Sequence, residues 1–328
     1  MIIDSHAHVV MTDELYRYMG ELVASRANPA GPYSGSGAES LRAAAERLIS
    51  IMDGVGTDIQ FLSPRPYMML HSIEPAKVTA LWTRAVNDAI HAQCQLHPDR
   101  FRGMAGLPQF RTYSPANCVA ELRRCVNELG FVGCLLNPDP TEGASAPPPG
   151  LGDRYWYPLY EALVELDVPA LIHSASCCSP RESYTLKFIN EESIAIVSLL
   201  ESTVLQDFPT LKIVVAHGGG AIPYQMGRFR AWGERRGEDF DQKMRQLYYD
   251  TCNYSPLALD FQLRTLGVDN CLFGTERPGT GTVRCRQTGR DYDDLKPAIE
   301  AIAWLSSEDK YKIFEGNCRK LYRRAFRN

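Results

Sequence analysis

The segment Ile2-Ile3-Asp4-Ser5-His6-Ala7-His8 places two histidines, one residue apart, shortly after two β-branched residues. Isoleucine favours extended structure, so the segment predicts a β-strand that ends at the histidines. Side chains of a strand alternate between its two faces, and His6 and His8 therefore point the same way. Two imidazoles on one face can bind one cation. A lone pair of this kind is a weak signal, and its meaning depends on what the rest of the chain places beside it.

Seven further apolar runs follow the first predicted strand. They span residues 58–62, 101–107, 131–136, 169–172, 211–216, 247–250 and 270–273. Segments of helical length lie between most of them, for example residues 156–166 and 193–206. Eight strands that alternate with helices predict a parallel (β/α)8 TIM barrel. In such barrels the catalytic groups lie at the carboxyl ends of the strands.

The chain has 328 residues, and we expect one domain over residues 1–328. A barrel takes about 250 residues and tolerates insertions. Residues 11 to about 46 form a long insertion after the first strand, and residues 138–152 are rich in Pro and Gly. We therefore predict a distorted barrel in which both segments form loops, either as lids over the mouth or as surface decoration.

Composition limits the classes of partner. The net charge is -4, which gives no reason to expect binding to nucleic acid or to an anionic membrane. No apolar run approaches the length of about 20 residues that crosses a bilayer, and the N-terminus does not resemble a signal peptide. The ten cysteines lie mostly in apolar contexts. We expect free thiols in a reducing compartment, and hence a cytoplasmic protein.

Other metal-binding side chains also end predicted strands. His173 ends the run 168–172, His217 ends the run 213–216, and Glu276 closely follows the last strand. A buried histidine costs desolvation energy unless it is paired or ligated. The ends of parallel strands meet at one mouth, so we expect His6, His8, His173 and Glu276 to bind a single divalent metal ion. Three nitrogens, one oxygen and an open position suit zinc, and manganese or iron remain alternatives.

These residues resemble a known family. The chain is similar to the decarboxylase/hydratase branch of the amidohydrolase superfamily, which includes aminocarboxymuconate semialdehyde decarboxylase. The resemblance is carried by Asp4-Ser5-His6-Ala7-His8, His173, Ala216-His217-Gly218-Gly219, Phe273-Gly274-Thr275-Glu276 and Phe314-Glu315-Gly316-Asn317. It implies a metal-dependent lyase with a small-molecule carboxylate as its substrate.

Within that branch the chain most resembles the 4-oxalomesaconate hydratases. Glu276 supports this, because most decarboxylases of the branch carry Asp at that position. The resemblance therefore implies addition of water to an unsaturated di- or tricarboxylate, such as 4-oxalomesaconate, in aromatic-acid catabolism. Residues 174–180 and 277–281 depart from the hydratase pattern. Both segments line the pocket in the family, so the metal site is better defined than the substrate.

Hydration chemistry suggests roles for individual residues. Glu276 would act as a metal ligand and general base, and His217 would stabilise developing charge. Tyr184, in a loop-like stretch, would supply the acid; the alternative is a packed or exposed tyrosine. Arg65 offers a planar guanidinium for a carboxylate, Asn137 offers a polar contact, and Arg228 competes with Arg230 and Arg277 for further anion contacts. For these last three arginines, surface or ion-pair roles are the alternative.

Three other functions use the same residues, since a fold does not fix a reaction. One is non-oxidative decarboxylation of an aromatic or muconate-type acid, and another is hydrolysis of a lactone or ester. The third is a metal-stabilised barrel that binds a ligand without catalysis. A homodimer or higher homo-oligomer is expected from the general frequency of such assemblies.

Overall fold

A computed structural model describes residues 1–144 and 146–327. Eight parallel strands follow one another around a single sheet in chain order. They are β1 (Ile3–His8), β2 (Ile59–Ser63), β3 (Phe101–Ala105), β4 (Gly133–Leu136), β5 (Ala170–Ile172), β6 (Ile213–Val215), β7 (Tyr248–Asp250) and β8 (Cys271–Leu272). The eight predicted strands and the (β/α)8 barrel are confirmed.

Backbone hydrogen bonds between the first strand and the end of the last strand close the barrel. The Ser5 amide donates to the Phe273 carbonyl at 2.9 Å, and the Glu276 amide donates to the His6 carbonyl at 2.7 Å. A parallel bridge between Ala7 and Arg277 extends this contact. The closure brings Glu276 beside the histidines of β1, although Glu276 comes 268 positions after His8 along the chain.

Helices surround the barrel. They are α1 (Asp13–Ala24), α2 (Ala38–Val55), α3 (Ala76–Leu96), α4 (Val119–Asn127), α5 (Tyr157–Leu166), α6 (Tyr184–Leu200), α7 (Val204–Asp207), α8 (Met226–Glu234), α9 (Phe240–Met244), α10 (Pro256–Leu266), α11 (Lys296–Glu300), α12 (Ser307–Tyr311) and α13 (Asn317–Leu321). A π-helical turn, Lys312–Gly316, joins α12 to α13. None of the helices formed by the described residues combines the length and the apolar character of a membrane span.

Two sequence-based expectations need correction. The insertion after β1 is not only a loop, because it contains α1 and the start of α2; Thr12 caps α1 by accepting from the Leu15 amide. The helix predicted from residue 193 instead begins at Tyr184, where Ser183 accepts from the Leu186 amide. Residues Lys187 and Glu192 are buried on the inner face of α6, and these charges broke the apolar pattern that would have revealed the helix.

The segment 138–152 contains neither helix nor strand among its described residues, as expected, and Ser145 lies outside them. Its first part is an ordered turn. The Asp139 carboxylate accepts from the Thr141 amide at 2.9 Å and from the Lys187 ammonium at 2.7 Å. The buried ion pair therefore ties this loop to α6, close to the mouth of the barrel.

The barrel interior is a packed core. Side chains from alternate strand positions fill it, among them Phe61, Met104, Leu171 and Val214. The C-terminal segment covers the end opposite the mouth, where the rings of Tyr322 and Phe61 meet edge to face at 5.0 Å between centroids. Because this end is filled, a ligand can approach only from the carboxyl ends of the strands, as is general for this fold.

Candidate metal centre

Four histidines and a glutamate meet at the mouth of the barrel. His6 and His8 belong to β1, His173 follows β5, His217 follows β6, and Glu276 follows β8. The Oε1 atom of Glu276 lies 3.9 Å from Nε2 of His8, 3.8 Å from Nε2 of His173 and 3.6 Å from Nε2 of His217. Candidate ligand atoms of His6, His8 and His173 also lie within 4.8 Å of one another. The structure thus brings all four expected ligands into one buried cluster.

The Nε2 atoms of His6, His8 and His173 have no hydrogen-bond partner among the described residues, although each is buried. A buried polar atom without a partner costs about 1–3 kcal/mol. Three such atoms facing one point are unfavourable unless a ligand satisfies them. Imidazole nitrogens and a carboxylate oxygen are ligands of first-row divalent metals, so the cluster fits a metal ion.

The other ring nitrogen of each histidine is held by the protein. Nδ1 of His6 lies 2.6 Å from the Asp250 carboxylate, and Nδ1 of His173 lies 2.6 Å from the Ser174 carbonyl. Nδ1 of His8 lies 2.9 Å from the Ser63 hydroxyl, which donates its own proton to the Ala7 carbonyl. All three partners accept, so the proton lies on Nδ1 and the lone pair on Nε2. Such partners fix ring orientation in metal sites.

Burial and charge set the protonation states. Burial lowers the pKa of His8 to about 3, which keeps the ring neutral and its lone pair available. Burial alone would raise the pKa of Glu276, but the imidazoles of His173, His217 and His8 hold it well below its ordinary value. For His217, burial alone would lower the pKa. The Glu192 carboxylate, 2.8 Å from Nδ1, outweighs burial and raises the His217 pKa well above its usual range.

A cavity of about 330 Å³ opens onto Glu276 and His217. Its walls are mostly aromatic, apolar or hydroxyl-bearing, and are formed by Thr185, Phe188, Ile189, Gly220, Ala221, Tyr224, Cys252, Asn253, Tyr254 and Thr280. Phe188 stacks on the His217 ring with an interplanar angle of 13°. The volume suits a small organic molecule.

The two side chains that face this cavity from the metal cluster have unusual backbones. His217 has φ of 51° and Glu276 has φ of 63°. Left-handed conformations are uncommon for residues other than glycine, and they cost energy that the surrounding structure must supply. Both residues are thereby aimed inward at the point where their strands end.

The residues predicted to bind or protonate the substrate lie in different parts of the structure, and only some of them are near the metal cluster. Arg65 follows β2 near the mouth; its Nη1 donates to the Pro278 carbonyl at 3.3 Å, while its buried Nε has no partner among the described residues. Burial raises the pKa of Tyr184, and the negative charge of Glu276 raises it further. Tyr184 therefore lies near the metal cluster. Tyr16 of α1 interacts with Tyr67 and with the charge of Arg65, so part of the insertion lies on this side of the mouth.

Asn137 and Arg228 are placed differently. The Asn137 amide donates to Nδ1 of His71 and to the Asp139 carbonyl, both at 3.0 Å, and its oxygen accepts from the Asp139 amide at 3.1 Å. The substrate role of Asn137 stays a prediction. These hydrogen bonds within the protein already occupy its side-chain amide and do not support that role. Arg228 is exposed on α8 and lines a separate surface cavity with Phe229 and Trp232. The structure does not bring Arg228 to the metal centre.

The other two candidate arginines form ion pairs. Arg230 bonds Asp241 at 2.8 and 2.9 Å on the surface, and the buried Arg277 bonds Asp291 at 3.0 Å and also contacts Asp293. All ten cysteines, each within the described ranges, are free, as the sequence led us to expect.

Sequence reasoning missed several residues that touch the centre. Asp250 bonds Nδ1 of His6, and Glu192 bonds Nδ1 of His217. The Tyr254 hydroxyl donates to Oε2 of Glu276 at 2.5 Å. Asp250 ends β7, so its position at a strand end was a usable signal. Glu192 lies within a helix and Tyr254 in a loop, and neither position carries such a signal.

The chain matches the amidohydrolase family model over residues 3–324. A 2-keto-4-carboxy-3-hexenedioate hydratase from Sphingobium sp. is 36% identical over 331 residues, covering 99% of this chain and 96% of the relative. The solved 4-oxalomesaconate hydratase from Rhodopseudomonas palustris superposes with a TM-score of 0.89 at 34% identity, covering 99% of this chain and 96% of its own.

A more distant solved relative is a dihydroxybenzoic acid decarboxylase from Polaromonas sp., which holds manganese and the inhibitor 2-nitroresorcinol. It superposes with a TM-score of 0.74 at 25% identity and covers 98% of this chain and 96% of its own. The chain belongs to the amidohydrolase family, and the family resemblance seen in the sequence is confirmed. Its relatives are hydratases and decarboxylases, which supports an enzyme of this kind.

Metal binding can be tested on the purified protein. We expect about one divalent ion per chain by elemental analysis, and we expect His6→Ala and His173→Ala to lose it, because each change removes one inward Nε2. His97→Ala, which alters a histidine at the end of α3, should keep the ion. Equal metal content in all four proteins would contradict the assignment of this cluster.

Proposed function

We propose that the protein is a metal-dependent hydratase that adds water to an unsaturated di- or tricarboxylate, such as 4-oxalomesaconate, in aromatic-acid catabolism. The observation that carries this proposal is the arrangement of Glu276: one carboxylate oxygen faces three imidazole nitrogens, and the side chain also borders a cavity for a small molecule. The full-length similarity to two hydratases supports the same reaction.

His6, His8, His173 and Glu276 would hold one divalent ion, for which we propose zinc, with manganese as the alternative suggested by the distant decarboxylase. When bound, such an ion acts as a Lewis acid that polarises a substrate oxygen and makes water a stronger nucleophile at neutral pH. Its four ligands come from three separate parts of the barrel, so a folded chain presents them together.

Hydration places a hydroxyl on one alkene carbon and a proton on its neighbour. We propose that Glu276 takes a proton from the attacking water as the new C–O bond forms. The electron pair of the C=C bond moves to the neighbouring carbon, which then takes a proton from Tyr184. Burial and the nearby carboxylate raise the Tyr184 pKa, so the phenol stays protonated until that step. Solvent carries the Glu276 proton away and restores the phenol.

His217 would stabilise the negative charge that develops on the substrate. The Glu192 carboxylate bonds Nδ1 and leaves Nε2 facing the cavity, and the same carboxylate raises the His217 pKa, which favours the protonated ring. Arg65 would bind a substrate carboxylate through its unpaired Nε and its planar guanidinium. Arg65 is not among the residues that line the cavity at Glu276, so a substrate carboxylate would meet Arg65 beyond the wall of that cavity.

Decarboxylation is the second candidate, because the manganese-containing decarboxylase has the same fold at 25% identity. Hydrolysis of a lactone or ester uses the same residues and remains a weaker alternative. The cytoplasmic location and the homo-oligomeric state expected from the sequence stay predictions.

A direct assay separates these reactions. With 4-oxalomesaconate as the substrate, we expect a product one water heavier than the substrate, without release of CO2, and we expect the reaction to stop when a chelator removes the metal. Release of CO2 from this substrate or from a dihydroxybenzoate, without the hydrated product, would replace the hydratase with the decarboxylase.

The role of Arg65 is tested by Arg65→Ala. Leaving a buried carboxylate without its cation costs about 2–5 kcal/mol, so KM should rise at least about 30-fold. Arg228→Ala is the matched control, because Arg228 is exposed on α8, and its KM should stay within twofold of the unaltered protein. An unchanged KM for Arg65→Ala would assign Arg65 to the structure of the mouth instead.

A further inference from the structure

The two carboxylate oxygens of Glu276 have different surroundings. Oε1 lies 3.6 to 3.9 Å from the Nε2 atoms of His8, His173 and His217. Oε2 accepts a hydrogen bond from the Tyr254 hydroxyl at 2.5 Å. Oε1 is thus free to serve a cation at the histidine cluster, while Oε2 accepts from a phenol and keeps a second lone pair that can take a proton.

Within residues 1–144 and 146–327, little else fixes this carboxylate in its orientation. Oε1 lies too far from the three imidazoles to form close hydrogen bonds with them. Gly279 packs against the side chain, since a Cβ at Gly279 would lie 2.9 Å from Cγ and 3.1 Å from Cδ of Glu276. Packing against Gly279 restricts one side, and the phenol supplies the directional contact.

Tyr254 is itself held in place. A Cβ at Gly281 would lie 2.6 Å from Cζ and 2.7 Å from Cε1 of Tyr254, so the ring fits directly against the Gly281 backbone. The Cys252 thiol donates to the phenolic oxygen at 3.6 Å. A backbone bond from the Asp293 amide to the Gly281 carbonyl at 3.2 Å steadies the segment behind the ring. The ring has little freedom to rotate away from Glu276.

We propose that Tyr254 is a positioning residue: its hydroxyl holds Oε2 of Glu276 so that Oε1 faces the metal cluster. The proposal rests on the proposed metal-dependent function, because it assigns the contact a purpose at that centre. Hydrogen-bond partners of metal ligands commonly change metal affinity 10–100-fold when they are lost. Tyr254 therefore contributes to metal binding without touching the ion.

The alternative is that Tyr254 only fills space, since its ring also separates the cavity at Glu276 from a neighbouring cavity of about 540 Å³. Tyr254→Phe distinguishes the two, because it keeps the ring and removes only the hydroxyl. A space-filling role predicts unchanged metal affinity, whereas a positioning role predicts weaker binding in a protein that is otherwise intact.

The experiment titrates Zn²⁺ into metal-free protein in competition with a chromophoric chelator. We expect Tyr254→Phe to bind Zn²⁺ about 10–100-fold more weakly, while the thermal midpoint of the metal-free protein changes little. Tyr224→Phe is the matched control: its hydroxyl lies on the same cavity but accepts from the Asn253 amide, so its Zn²⁺ affinity should be unchanged.

Gly281→Ala gives a second route to the same contact, because the added methyl displaces the Tyr254 ring. It should weaken Zn²⁺ binding when Tyr254 is present and add little when Tyr254 is already Phe, as expected for residues that act through one contact. Additive losses in the double variant would contradict a shared route through the phenol.

Glu276→Ala separates failure of this inference from failure of the proposed function, because it removes both carboxylate oxygens. If Glu276→Ala weakens Zn²⁺ binding and Tyr254→Phe stays within twofold of the unaltered protein, the positioning role is wrong and the metal centre stands. If neither variant weakens binding, Glu276 is not a ligand, and both the inference and the proposed four-ligand centre are overturned.

Discussion

The structure depends on three buried imidazole nitrogens that the described residues leave without a partner. The Nε2 atoms of His6, His8 and His173 face one point, whereas the Nδ1 atom of each ring is hydrogen-bonded to a protein group. Unsatisfied buried groups oppose folding unless something satisfies them. A divalent cation would do so for all three at once. The arrangement would then link folding of the mouth to metal binding.

Barrel closure is what makes that arrangement possible. The backbone bond from Glu276 to His6 joins the end of the chain's last strand to its first, and thereby places a carboxylate beside the histidines. Asp250 then couples a third strand to the cluster: it bonds Nδ1 of His6 and accepts from the Gly218 amide at 2.9 Å. One carboxylate thus orients a ligand and fixes the turn that carries His217.

The sequence predicted the barrel and the cluster because both follow from periodic signals. Each strand was a short apolar run, and side chains at the ends of parallel strands must meet at one mouth. It did not predict the helix from Tyr184, since buried Lys187 pairs with Asp139, and a buried ion pair looks polar in sequence. Tyr254 lies in a loop between elements, and only the folded structure shows that it contacts Glu276.

Glu276 is proposed both to hold the metal and to take the proton from water. Metal content and kcat measured on one preparation of Glu276→Gln test these two roles, because Gln keeps the size and one coordinating oxygen but is not basic. We expect kcat per bound ion to fall at least about 10²-fold, the usual scale of general-base loss. A rate that falls only in proportion to lost metal would show that Glu276 is not the base.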